Sequence, residues 1–177
     1  MDSLKNYEVD FVKLKLGQHD ISFKIDDSFF TLKEHSLIEK GNVDVHLHID
    51  KKERLMNFTF SIEGTVQVEC DTCLDPFDLP VKQTESIVLK ISEDGGDSDG
   101  EIIYLKPHEI SFNVYDHIYE LIVISMPLSK TCADSADGNK QCNQQMLAYL
   151  SGSTEEVDEN DEEKPTDPRW DKLKNIK

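Results

Sequence analysis

The sequence predicts an α+β fold. Its β-rich antiparallel body, a partly closed barrel or a sandwich, is followed by C-terminal helices and an acidic linker. Three observations carry this. Phe58, Phe60, Ile62, Gly64, Val66, Val68 and Cys70 alternate with polar residues in a strict period of two, the mark of a half-buried strand. Val43, Val45, Leu47 and Ile49 repeat that alternation upstream. Val114, Ile118, Leu121 and Ile122 recur instead at helical spacing. Strands therefore come first and helices later, the order expected when the two kinds of element segregate. The body is expected over about Tyr7 to Leu105, inside one domain over 1–150. An acidic disordered linker over 151–166 and a short basic helix over 167–177 complete the chain.

Taken in order, Tyr7 to Ile25 reads as two strands. Val12, Leu14 and Leu16 share one phase, and Ile21, Phe23 and Ile25 share another. Gly17-Gln18-His19-Asp20 between them has hairpin-turn composition. Asp26-Asp27-Ser28 offers turn or N-cap chemistry ahead of Phe29 and Phe30. The stretch to Ile38 reads as a short helix or a covering loop. Lys51-Lys52-Glu53-Arg54 is a polar connection between two antiparallel strands. Leu79-Pro80-Val81 opens another extended run that ends in Ile87, Val88, Leu89 and Ile91, with Pro80 suited to a strand start or an edge. Residues 92–101 are acidic and glycine-rich, a loop composition. Their acids do not have the spacing of an EF-hand.

Ile102-Ile103-Tyr104-Leu105 reads as a strand broken by Pro107. Asn113, with Asp116 three residues on, forms a near capping box for the helix from Val114, which Pro127 ends. Residues 129–141 read as a polar loop. Cys142 to Leu150 reads as a short helix stopped by Gly152. Seven acidic groups and no basic one lie in 153–163. At the end Asp167 can cap, Pro168 suits a first helical position, and Arg169, Lys172 and Lys174 surround Trp170.

The chemistry concentrates in four cysteines, Cys70-x2-Cys73 and Cys132-x9-Cys142. Two thiols at the first spacing can clamp a metal ion or form a redox pair. Four thiolates could hold one tetrahedral structural zinc, if the fold brings the distant second pair to the first. The alternative is separate thiols, with Cys70 a small buried hydrophobe at the end of its strand. A thioredoxin-like role would need the motif to open a helix in a βαβ unit, and β-pattern surrounds it here. His46 and His48 share the outward face of one strand with no third ligand near, which reads as an exposed histidine pair. There is no Ser-His-Asp order, phosphate loop or H-E-x-x-H motif, so no enzymatic activity and no small-molecule substrate are expected.

Composition narrows the partners. The net charge is −17, from 36 acidic and 19 basic residues among 177. Affinity for nucleic acid rests largely on Lys and Arg releasing counterions from phosphate, so the chain as a whole should be repelled by bare RNA. Any RNA contact must be local, and Arg169, Trp170, Lys172 and Lys174 are the candidate RNA or partner surface. An acidic surface attracts basic proteins; it also serves solubility alone. No run of 18 apolar residues is present, and Met1-Asp2-Ser3-Leu4-Lys5 lacks the blocks of a signal peptide. A cytoplasmic protein is expected, with its cysteines as thiols or metal ligands.

The stretch Gly64-Thr65-Val66-Gln67-Val68-Glu69-Cys70-Asp71-Thr72-Cys73-Leu74 resembles the hallmark of the YceD family. Asp26-Asp27-Ser28-Phe29-Phe30 agrees with it, as does Tyr119-Glu120-Leu121 leading to Met126-Pro127-Leu128. So does the terminal Asp167-Pro168-Arg169-Trp170-Asp171-Lys172-Leu173. The resemblance covers nearly the full chain and is strongest to Bacteroidetes-type members. It implies a non-catalytic factor in ribosome biogenesis, supporting accumulation or processing of large-subunit (23S) ribosomal RNA. Many members carry Arg where this chain has Thr72; if that Arg meets RNA phosphate, the contact is missing here. Members are often encoded beside a small basic ribosomal protein. That suits the alternative expected from charge, an acidic escort for such a protein.

Overall fold

The computed structural model describes residues 3–93, 102–138 and 140–152. The chain divides into two compact units, the first Met1–Cys142 and the second from Asn143 onward. In the first unit β1 is Glu8–Val9, β2 Gly17–Ile25, α1 Asp27–Phe30, β3 Gly41–Lys51 and β4 Leu55–Glu69. They are followed by β5 Pro76–Ile91, β6 Ile102–Leu105, β7 Phe112–Asn113 and α2 Tyr115–Ser125. In the second, α3 spans Gln144–Gly152. No helix among the described residues is long and apolar enough to cross a membrane.

The alternation read from sequence becomes the central sheet. Five strands pair in the order β2-β3-β4-β5-β6. The first three pairings are antiparallel, and β6 joins β5 in parallel. Side chains of one phase are buried together: Val43, Val45, Leu47, Phe58, Phe60, Ile62, Leu79 and Leu89. Burying a side chain of this size contributes about 1.5–3 kcal/mol. Helix α2 covers β4 and β5, burying Ile118, Leu121 and Ile122. His117 stacks on Phe60 and Phe112, with ring centroids 6.5 and 5.4 Å away. An aromatic cluster secures α1 to α2. Phe29 lies 4.6 Å from Tyr115 between centroids, and the Tyr115 hydroxyl donates to the Phe29 carbonyl at 3.2 Å.

The α+β class holds, but the body is not a barrel. Among the described residues the strands make one open sheet and a two-stranded ribbon of β1 and β7. Edge strands β2 and β6 do not meet, and α2 supplies the apolar cover that a second sheet would otherwise give. The hairpin expected over 7–25 is also replaced. Only Glu8–Val9 is extended before Gly17, and it pairs with β7, while β2 pairs with β3. Val12 and Leu16 are exposed, and Phe11 is buried instead. Lys51 Nζ fixes this bend by donating to the Phe11 and Leu14 carbonyls, both at 2.7 Å.

The outward face of the sheet is laced by cross-strand polar pairs. Ser22 meets His46 at 3.0 Å, Asp20 meets His48 at 2.8 Å, and Thr59 meets Ser86 at 2.9 Å. His46 and His48 are thus partners within the sheet, each opposite its register neighbour. At Gly64 the strands β3 and β4 approach too closely for any side chain. A Cβ there would lie 2.2 Å from the Asn42 carbonyl oxygen and 2.6 Å from the Val43 Cα.

Candidate metal centre

Strand β4 delivers Cys70 fully buried at its end, and β5 restarts at Pro76. The five residues between close a tight knuckle. The Leu74 N–H donates to the Cys70 carbonyl at 2.9 Å, and the Cys70 N–H donates to the Asp75 carbonyl at 3.0 Å. Leu74 takes a left-handed backbone, φ 62°, a conformation usually given to glycine. This turn folds the backbone around Cys70. The Thr72 N–H points at its sulfur from 3.4 Å.

The second pair arrives on the chain that follows α2. Cys132–Asp134 is one turn of 3-10 helix. Thr131 and Asp134 close it: the Asp134 carboxylate accepts from the Thr131 N–H at 2.9 Å and from its hydroxyl at 2.8 Å, and the Asp134 N–H donates to the Thr131 carbonyl at 2.9 Å. The loop is stitched to the knuckle by backbone. The Asp71 N–H donates to the Lys130 carbonyl at 2.8 Å, and the Lys130 N–H donates to the Asp71 carboxylate at 2.7 Å. The Ala136 N–H donates to the Asp78 carbonyl on β5 at 2.8 Å, and Lys140 Nζ donates to the Pro76 carbonyl.

These stitches bring all four sulfurs together. Cys73 and Cys132 are 3.5 Å apart, Cys70 and Cys142 are 3.8 Å apart, and all four lie within 4.8 Å of one another. A tetrahedron with metal–sulfur bonds near 2.3 Å has edges of about 3.8 Å. The cluster fits that frame, and the donor set is the all-thiolate set that suits zinc. Three of the cysteines are buried and Cys142 is half-buried.

The electrostatics set Cys70 apart from Cys132 and Cys142. Burial opposes ionisation of Cys70. Backbone N–H groups of Cys73, Thr72 and Cys132 aimed at its sulfur outweigh it and bring the thiol down to about 6. Burial pushes Cys132 up to about 12, reinforced by hydrogen bonds with Cys73 and Cys70. Cys142 is raised as well, by burial and then by its contact with Cys70. A bound cation would supply the positive charge that four clustered thiolates need.

The structure therefore brings together Cys70, Cys73, Cys132 and Cys142, the set that sequence spacing left open between one site and separate thiols. Arg169, Trp170, Lys172 and Lys174 lie outside the described residues. Sequence reading missed the supporting Asp71, Lys130, Thr131 and Asp134. Thr131-x-x-Asp134 is a capping-box pattern within a stretch otherwise read as loop. Nothing in the sequence signals the Asp71–Lys130 pairing. The α2 cap also shifts: Asn113 accepts from the Tyr115 N–H at 2.9 Å, with Val114 at the cap position.

The family model for the large ribosomal RNA subunit accumulation protein YceD matches residues 58–177, which include all four cysteines. The chain belongs to the YceD family. The match opens within β4, so β1 to β3 lie ahead of it, a narrower span than the near-complete resemblance read from sequence. No curated protein and no solved structure matches the chain. Within this YceD-family chain the matched segment holds both halves of the cysteine cluster and the helix between them.

Proposed function

We propose that this YceD-family protein is a non-catalytic cytoplasmic assembly factor that supports accumulation of 23S ribosomal RNA. Its four-cysteine centre holds a structural zinc. The observation that carries the reading is the convergence of Cys70, Cys73, Cys132 and Cys142 inside the family-matched segment. Four protein ligands close a tetrahedral site, and a closed site leaves no position at which a metal-bound water could act. The zinc would pin the loop after α2 to the β4–β5 knuckle and so fix the surface around it. Two measurements test this. Cells depleted of the protein should show a lowered 23S-to-16S ratio, restored by the wild-type chain; an unchanged ratio defeats the reading. Protein purified without chelator should carry about one zinc per chain. Turnover of ribosomal RNA by the isolated protein would contradict the non-catalytic role.

A second reading, the acidic escort of a basic ribosomal protein, is favoured by charge and by a cleft beside the metal centre. The cleft holds about 480 Å³ and is lined by Glu39, Glu69, Asp71 and Lys130, with Leu37 at its rim, 74 % exposed. The Lys130 N–H and ammonium both face Asp71. A carboxylate-lined cleft with an apolar rim suits a lysine or arginine with its aliphatic stem. Titrating the protein with 23S fragments and with basic ribosomal proteins separates the readings. Tight RNA binding lost in an Arg169→Ala, Lys172→Ala, Lys174→Ala variant would favour direct contact through the basic tail. Binding only to the basic protein would favour the escort.

A further inference from the structure

We propose that the cysteine cluster is also an oxidation site, in which a peroxide joins Cys73 to Cys132 and Cys70 to Cys142. The metal is expelled while the fold stays closed. This rests on the zinc reading above for the metal, but the thiol pairing rests on geometry alone. The Cys73–Cys132 and Cys70–Cys142 contacts, at 3.5 and 3.8 Å, each join the knuckle to the loop after α2. A disulfide bond is about 2.05 Å long, so each pair closes by less than about 2 Å. A thioredoxin-type bond between Cys70 and Cys73 would instead form within a turn already shut by the Leu74 N–H to Cys70 carbonyl bond.

The cross-pairing has a structural consequence. Zinc bonds and disulfides would tie the same two segments, so one set replaces the other. The Asp71–Lys130 and Ala136–Asp78 bonds do not pass through sulfur and persist in both states. Cys142 is the half-buried member, and the other three are buried. With all four sulfurs held as thiolates on the metal, oxidation therefore begins at Cys142. Its sulfur attacks one oxygen of the peroxide, the O–O bond breaks, and hydroxide leaves, giving a sulfenic acid. The Cys70 sulfur then attacks the sulfenic sulfur, and a second hydroxide leaves as the S–S bond forms. A second peroxide does the same for Cys73 and Cys132 once the metal is released. In total four thiolates, two peroxides and four protons give two disulfides and four waters. The electrons come from sulfur, because zinc has no redox chemistry of its own.

The full chain, zinc-loaded and separately stripped by chelator under reducing conditions, would be titrated with hydrogen peroxide. Released zinc would be read with a chromophoric chelator, thiols by a colorimetric reagent, and linkages by peptide mass spectrometry. The expected result is loss of four thiols per two peroxides and release of the bound zinc. The linkages should be Cys73–Cys132 and Cys70–Cys142, and the oxidised protein should melt above the stripped, reduced one. In the stripped protein Cys142→Ser should still form the Cys73–Cys132 linkage and leave Cys70 unlinked. A Cys70–Cys73 linkage, bonds between chains, or thiols that survive excess peroxide would overturn the proposal. If the protein holds no zinc, the structural-zinc reading fails by itself, and the linkage map of the stripped protein still decides the pairing.

Discussion

Burial opposes a thiolate at Cys70 but three backbone N–H groups aimed at its sulfur favour one, whereas at Cys132 burial opposes one and the neighbouring thiols reinforce it. In the metal-free cluster burial thus favours the protonated form of Cys132 and Cys142. Zinc uptake must expel the latter two protons. Calorimetry of zinc binding at pH 7 in buffers of different ionisation enthalpy should report release of at least those two, and affinity should weaken as pH falls. Asp26 gives a second test at this scale. The Ser28 hydroxyl and N–H hold its carboxyl below the ordinary 3.8 while it caps α1. A depressed folded value means that the stabilisation is present above about 3.8 and is lost as pH falls through the folded value. Wild type should therefore melt above Asp26→Ala at neutral pH. The gap should narrow below pH 4, and a gap constant with pH would refute this. Asp26 as a cap was legible because its role is local. Cys132 and Cys142 were legible as candidate ligands but their meeting with Cys70 was not, since it depends on loop contacts that follow no sequence period.

Strands β3 and β4 were legible as elements because one face is buried and the other is in water, which writes a period of two into the chain. Strand β5 was legible only in part. It reads as a single run from Leu79, three residues inside its start at Pro76, and Gln83 and Glu85 occupy its inward phase yet are exposed, so the alternation lapses in mid-strand. The open sheet was not legible, because which edges meet is decided by the β5–β6 crossover and by α2. Gly64 shows what the β3–β4 pairing requires. Its missing Cβ admits the Asn42 carbonyl and the Val43 backbone, and backbone cannot yield as a side-chain tip can. Gly64→Ala should cost about 1–3 kcal/mol by urea denaturation, the range for overpacking. The same change at Gly152, where a Cβ meets nothing within 4 Å, should be near neutral.

Over the whole molecule, 36 acidic residues against 19 basic set the sign of every long-range encounter. Between 0.1 M and 1 M salt the screening length shrinks from about 10 Å to about 3 Å. If the chain escorts a basic ribosomal protein, the attraction acts mainly on the rate of encounter, so that rate should fall about tenfold or more across this range, with dissociation changing less. RNA meets the opposite field. If it binds only against general repulsion, salt should leave its association unchanged or quicken it. If the basic tail grips phosphate, affinity should fall with salt through counterion release. Stopped-flow association with each partner over a salt series reads these three outcomes directly. A basic protein whose association ignores salt would reduce the acidity to a solubility feature. The cleft of Glu39, Glu69 and Asp71 would then lose its claim as a cargo surface.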